Sequence, residues 1–150
     1  MPGNRIFINK NYIAGVSETF GAKLHKHPLL EIYAAEDGDS HVRTTNDELR
    51  GQIIVVGANA VHAIADTGKR GIALFIDPLT EYGYTLAART LKGKAFAVLN
   101  AYDLDKRWTT GNDDLSEADI GSISKSILSL LQGESVTRPF NDTVLQAIEL

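Results

Sequence analysis

The sequence predicts a mainly β domain, either a sandwich or a closed barrel, followed by helices. Three observations support this prediction. Short apolar or alternating runs fill the chain from Arg5 to Asp77, turn residues separate them, and the hydrophobic period becomes helical after Pro78. Short strands at this spacing are typical of sandwiches and barrels, and a barrel also removes the unpaired edges of its sheet.

Seven runs in the first half are predicted to be strands because they alternate or are rich in β-branched residues. They cover residues 6–8, 12–16, 30–34, 42–44, 53–56, 60–65 and 72–76. Turn residues separate them at Gly21, 37–39, Gly51, 57–59 and 68–69. Beyond them, Leu79, Tyr82, Leu86 and Leu91 fit a short helix, and residues 95–99 can form one more strand.

The clearest helix is predicted over residues 116–132. Ser116 and Asp119 resemble a capping box at its start, and Gly133 stands at the stop position. Its apolar face comprises Ile120, Ile123, Ile127, Leu130 and Leu131. Such a face can cover one sheet of the barrel or be buried between two subunits, and the sequence leaves both interpretations open.

Length and composition indicate one globular core. The 150 residues are 43% hydrophobic and 23% charged, and there is no cysteine, which excludes disulfides and thiolate metal sites. The start does not read as a signal peptide and no apolar run is long enough to span a membrane, so we expect a cytoplasmic protein. A net charge of −4 with scattered basic residues makes this chain alone a poor DNA binder.

The end of the sequence predicts a continuation. Residues 142–148 start a new apolar helical pattern that has no stop signal, so we expect a longer natural chain. The predicted organisation is a barrel over residues 1–100, a helical extension over 101–135, and the start of a linker helix over 136–150 that leads to a missing C-terminal domain.

Four residues are candidates for one pocket. His25 and His27 are two apart and Glu31 follows four later, so in extended backbone all three point to the same side. His62, in the alternating run 60–65, can join them from a neighbouring strand, and Tyr33 shares the parity of Glu31 and can also face the pocket. His41 follows a turn without a partner in sequence and is interpreted as a surface histidine.

Three imidazoles and a carboxylate form a ligand set suited to Zn, Fe, Ni, Mn or Cu. The same residues can instead line a pocket for an organic ligand or form a hydrogen-bonded structural cluster. Other chemistries lack their motifs, because the sequence has no serine nucleophile elbow, no phosphate-binding loop and no dinucleotide fingerprint.

The spacing of these residues resembles the motifs of the cupin superfamily. His25, His27, Glu31 and Gly38 follow the first motif, and Gly51 with His62 follows the second. The resemblance implies a double-stranded β-helix, a jelly-roll-like barrel, in which His25, His27, Glu31 and His62 hold one divalent transition metal.

A second resemblance concerns the order of elements. A cupin barrel, the segment 74–78 leading into a helix, and the helix over 116–132 together resemble the N-terminal sensing half of AraC-type transcription regulators. That resemblance implies a domain that binds a small-molecule effector and forms a homodimer, with DNA bound only through the missing C-terminal domain. No catalytic residue is then required. The alternatives are a stand-alone metal-dependent cupin enzyme of dioxygenase or isomerase type, and a sugar- or metabolite-binding cupin without a regulatory role.

Overall fold

The computed structural model describes residues 5–18, 20, 23–36, 38–65, 70–100 and 115–132. These residues contain nine strands and two helices. In chain order they are β1 (Arg5–Ile8), β2 (Ile13–Ser17), β3 (Leu30–Ala35), β4 (Ser40–Arg43), β5 (Glu48–Gly51), β6 (Ile53–Val56), β7 (Ala63–Ile64), β8 (Gly71–Ile76), α1 (Glu81–Leu91), β9 (Phe96–Leu99) and α2 (Glu117–Gln132).

The strands form two antiparallel sheets. The larger has the order β1-β2-β8-β3-β6-β9 and the smaller has the order β5-β4-β7. An isolated antiparallel bridge between His25 and His62 continues the smaller sheet beyond β7. Strands of the first half therefore pair with those of the second half in reverse order: β2 with β8, the segment at His25 with that at His62, β3 with β6, and β4 with β5. This nested order is that of a jelly roll, which confirms the predicted double-stranded β-helix.

The large sheet separates two apolar cores, because alternate residues of its strands point to opposite faces. The inner core lies between the sheets and contains Tyr33, Val42, Ile54, Val56, Ile64 and Ala73. The outer core lies between the large sheet and the two helices, where β3 contributes Ile32 and β8 contributes Leu74. Both faces of β3 are thus buried along its whole length.

Helix α2 begins and packs in agreement with its sequence. The backbone N–H of Ser116 donates to Oδ2 of Asp119 over 3.0 Å, and the N–H of Asp119 donates to Oγ of Ser116 over 3.1 Å, which confirms the capping box. Ile120, Ile123 and Ile127 are fully buried against the sheet of their own chain.

That burial agrees with the covering interpretation of the apolar face. The buried side chains of the face belong to the outer core, and Leu130 is partly buried beside them, so the face covers the sheet of its own chain. The sequence could not decide because a covering helix and an interface helix have the same periodicity. A homodimer, with α2 contributing part of the contact, stays a prediction.

Three further differences concern element boundaries. Helix α1 begins at Glu81 and excludes Leu79, which is 92% exposed, because the Thr80 side chain accepts a hydrogen bond from Gly83 N and acts as the N-cap. Strand β5 was not predicted, since its sequence Glu-Leu-Arg-Gly carries little apolar character. The run at 60–65 forms a strand only at β7, with the bridge at His62 beside it.

Strand β9 confirms the predicted return to the sheet over 95–99. The linker helix predicted over 136–150, and most of the extension over 101–135 outside α2, lie outside the described residues. Within the described part of the chain, no helix has the length and apolar character needed to cross a membrane.

Candidate metal centre

Backbone pairing fixes two of the candidate histidines beside each other. His25 N donates to His62 O and His62 N donates to His25 O, each over 2.9 Å. Directly paired residues of an antiparallel ladder project on the same side. Both imidazoles therefore share one face of the smaller sheet, with ring centroids 4.5 Å apart.

The other two candidates lie on either side of the first residue of β3: His27 precedes the strand and Glu31 lies within it. The N–H of Asn59, in the left-handed conformation with φ 62°, donates to His27 O over 2.7 Å and ties this segment to the loop before His62. Glu31, the second residue of β3, is paired with Val56 on one side and Phe75 on the other. Its side chain therefore projects from the inner face of the large sheet, toward the histidines on the smaller sheet.

These four side chains converge, which confirms the prediction made from strand parity and spacing. One ligand atom from each of His25, His27, Glu31 and His62 lies within 4.8 Å of all the others. Oε1 of Glu31 lies 2.8 Å from Nε2 of His27 and 3.0 Å from Nε2 of His62. The carboxylate thus stands between two imidazoles.

Backbone carbonyls orient all three imidazole rings. Nδ1 of His25 lies 2.9 Å from Lys23 O, Nδ1 of His27 lies 3.0 Å from Leu29 O, and Nδ1 of His62 lies 2.8 Å from Ala60 O. A carbonyl oxygen only accepts hydrogen bonds, so in each ring Nδ1 carries the proton. In a neutral ring of this tautomer, Nε2 has a lone pair that can bind a metal. Hydrogen-bond partners on Nδ1 fix ligating histidines in the same way in protein metal sites.

The protonation of the buried pair follows from this arrangement. Burial alone would raise the pKa of Glu31, but hydrogen bonds from His27 and His62 and their charges outweigh it and lower that pKa. Burial alone would lower the pKa of His62, but the Glu31 hydrogen bond, the Ala60 carbonyl and the Glu31 charge raise it. Glu31 and His62 therefore each favour the charged form of the other.

The donor set fits a transition metal. Two ligand atoms that are each about 2.0–2.2 Å from one ion can be at most about 4.4 Å apart. A contraction of less than an ångström would bring the four donors within this limit. The ion would balance the charge of the buried carboxylate, and the three imidazoles with one carboxylate suit Zn, Fe, Ni, Mn or Cu.

Exposure rises across the site. Glu31 and His62 are buried, at 2% and 0%, while His27 is half-buried and His25 is exposed. The site is therefore closed by the barrel on the Glu31 side and reaches solvent on the His25 side. A small molecule can approach the donors from that side.

The remaining candidates lie apart from the four donors. Tyr33 does face the barrel interior, where its ring packs edge-on against Phe20 with centroids 5.3 Å apart. His41 points to Glu48 on the surface, with Nδ1 3.1 Å from its Oε1, and takes no part in the cluster. Phe75 was not among the residues predicted for the site, and its ring stands edge-on to the His27 imidazole with centroids 5.6 Å apart. Only the pairing of β8 with β3 reveals this neighbour.

Comparisons with known proteins give likenesses in structure only. No protein-family model matches the sequence, and no curated protein matches it. An RmlC-like cupin from Shewanella frigidimarina is 17% identical with a TM-score of 0.41, covering 49% of this chain and 74% of its own. A protein from Neisseria meningitidis is 15% identical with a TM-score of 0.43, covering 49% and 82%. A conserved protein of unknown function from Streptococcus pyogenes is 16% identical with a TM-score of 0.42, covering 50% and 73%.

Proposed function

We propose that this domain binds a divalent transition metal through His25, His27, Glu31 and His62 and senses a small-molecule effector there, as part of an AraC-type transcription regulator. The observation that carries the proposal is the convergence of four donors in a jelly-roll barrel, with every imidazole oriented by a backbone carbonyl. Three carbonyl-bound Nδ1 atoms leave three Nε2 atoms for one centre.

Each residue has a defined part in this proposal. Glu31 supplies the anionic ligand from a fully buried strand, and His62 supplies a buried neutral ligand. His27 and His25 complete the set on the solvent side. A bound metal supplies a Lewis-acidic centre to which an oxygen-bearing effector can be attached. The surrounding barrel limits the size of that effector and shields the buried ligands from water.

The sensing role is supported by the helices behind the site. Glu31 and Ile32 are neighbours in β3, and they face the metal centre and the helix-covered outer core respectively. A shift of β3 on effector binding would therefore reach the contacts of α2. Coupling of this kind requires the effector to bind two states with different affinities, typically by about 1–3 kcal/mol.

A metal-dependent cupin enzyme is the second candidate, and the exposure gradient favours it. Because His25 is exposed, a metal held by these donors has an approach for a substrate as well as for an effector. Three histidines and one carboxylate can leave coordination positions open, which metal catalysis requires. The same site would then turn its ligand over instead of only binding it.

Binding and turnover can be measured on one preparation. The protein is loaded with each candidate metal and incubated with a panel of small organic acids, sugars and keto acids, with and without dioxygen. Sensing predicts saturable binding by calorimetry, unchanged ligand by NMR, and altered amide exchange in α2. Product formation would support the enzyme and contradict the sensor.

Two histidine variants separate the proposed site from the rest of the surface: one removes a donor, and the other is the matched control. His62→Ala should abolish both the binding and the change in α2, whereas His41→Ala, whose imidazole points to Glu48 outside the cluster, should preserve both. Ligand binding that persists without metal and without His62 would contradict the proposed site.

A further inference from the structure

A row of side chains links the metal centre to the edge of the large sheet. Strand register pairs Glu31 with Phe75, Phe75 with Ile13, and Ile13 with Ile8. Directly paired residues share a face, so these side chains lie on the inner face with Glu31. Neighbouring strands are about 4.8 Å apart, which places Ile8 about 14 Å from Glu31 across the sheet.

The outer part of this row is apolar and open. Ile8 is 74% exposed and Ile13 is 44% exposed. In the next row Ile6, 63% exposed, is paired with Gly15. A Cβ atom at Gly15 would meet no heavy atom of the described residues within 4 Å, so these residues leave free space above the sheet at this point.

We call Ile6, Ile8, Ile13, Gly15 and Phe75 the apolar shelf. It is continuous with the metal centre, because the Phe75 ring stands edge-on to the His27 imidazole at 5.6 Å. The opposite face of β1 is covered, since Phe7 packs in the outer core beside α2. Exposed isoleucines are therefore confined to the side of the sheet that carries Glu31.

We propose that the ligand of this site is a small amphiphilic carboxylate, whose acid group binds at the metal centre and whose hydrocarbon tail lies on the apolar shelf. This inference rests on the proposed function. A divalent ion with the Glu31 carboxylate leaves one positive charge in the site, since two positive charges and one negative sum to one, and this favours an anionic head. The exposed isoleucines favour a ligand with an apolar part, because covering apolar surface with apolar groups lowers the free energy by removing both from water.

The test uses straight-chain saturated carboxylates from acetate to decanoate as probes. They are titrated into the zinc-loaded protein by calorimetry, below the concentrations at which they aggregate. Each methylene that reaches the shelf should tighten binding about fourfold, and the gain should continue along the series to decanoate. Acetate should bind weakly through its head alone.

Two variants on the shelf separate the tail from the head. Gly15→Val fills free space without displacing a neighbour, and Ile8→Ser removes an exposed apolar group. Both should weaken decanoate binding at least several-fold and leave zinc content and acetate binding unchanged. The matched control is Leu79→Ser, which changes a 92% exposed leucine in the turn before α1 and should alter neither decanoate binding nor zinc content.

Each contrary outcome has a distinct meaning. A protein that binds zinc and acetate but shows no dependence on chain length overturns the shelf proposal and leaves the proposed function standing. A protein that binds none of Zn, Fe, Ni, Mn and Cu overturns the proposed function itself. If Ile8→Ser converts a dimer into a monomer while the chain-length series is flat, the shelf is the contact with a second copy of this chain, and the amphiphile proposal is refuted.

Discussion

In the proposed metal centre, a metal ion would compete with the proton on His62, and this competition predicts opposite pH dependences for the stability of the metal-free protein and for metal binding. In the metal-free protein the pKa of His62 is raised, so its stabilising contribution is fully present below the unfolded value of about 6.5 and is lost as the pH rises through the folded pKa. The pKa of Glu31 is lowered, so its contribution is present above the unfolded value and is lost as the pH falls through the folded pKa. We expect greatest stability from this pair between about pH 4.5 and 6.5.

Zinc binding should show the reverse trend, because the ion requires the neutral imidazole of His62. Below the folded pKa of His62, bound zinc displaces at least the proton of that ring, so its affinity falls at least about tenfold per pH unit. With zinc in excess, a tenfold change in affinity is worth about 1.4 kcal/mol of stability. For a chain of this size that corresponds to roughly 3–5 °C in Tm for each pH unit.

The assay is thermal unfolding followed by circular dichroism at pH 5, 6, 7 and 8, with excess zinc and with a chelator. The Tm difference between the two series should grow with pH and level off above the folded pKa of His62. A zinc effect that is constant over this range, or a metal-free protein that is more stable at pH 8 than at pH 6, would refute the competition. His41→Gln, outside the cluster, should keep the wild-type pattern.

Three shorter predictions concern single residues. His62→Ala should lower the bound zinc to background while His41→Ala keeps the wild-type stoichiometry, measured by elemental analysis. In the metal-free protein, Glu31→Gln should lower the pKa of His62, since burial then opposes the charged imidazole without a carboxylate beside it, and NMR titration of that ring measures this. Ile127→Ala should cost about 2–5 kcal/mol in urea unfolding because Ile127 is fully buried, whereas Leu79→Ala should change stability by about 0.5 kcal/mol or less. An equal effect of the two alanine variants would contradict the core position of α2.

The candidate site could be predicted because strand parity converts sequence spacing into direction. His25, His27 and Glu31 are separated by even numbers of residues, and extended backbone places such residues on one side. The turn at 57–59 and the bridge at His62 then bring the fourth donor to them. Local chemistry also determined the start of α2, where Ser116 and Asp119 are only three residues apart.

Features that depend on distant pairing could not be obtained in this way. The contact of Phe75 with His27 results from β8 lying beside β3, more than forty positions away in sequence. Likewise, the periodicity of α2 identifies an apolar face and leaves its partner undetermined. Strand β5 was missed because its edge position in the smaller sheet requires little apolar character.

X-ray absorption spectroscopy of the zinc-loaded protein tests the central claim most directly, because it reports the atoms bound to the metal. The account predicts one zinc per chain, about three imidazole nitrogens and one or more oxygens at about 2.0–2.2 Å, and loss of one imidazole from the spectrum in His62→Ala. A zinc surrounded by oxygens alone, or a spectrum that His62→Ala leaves unchanged, would contradict it.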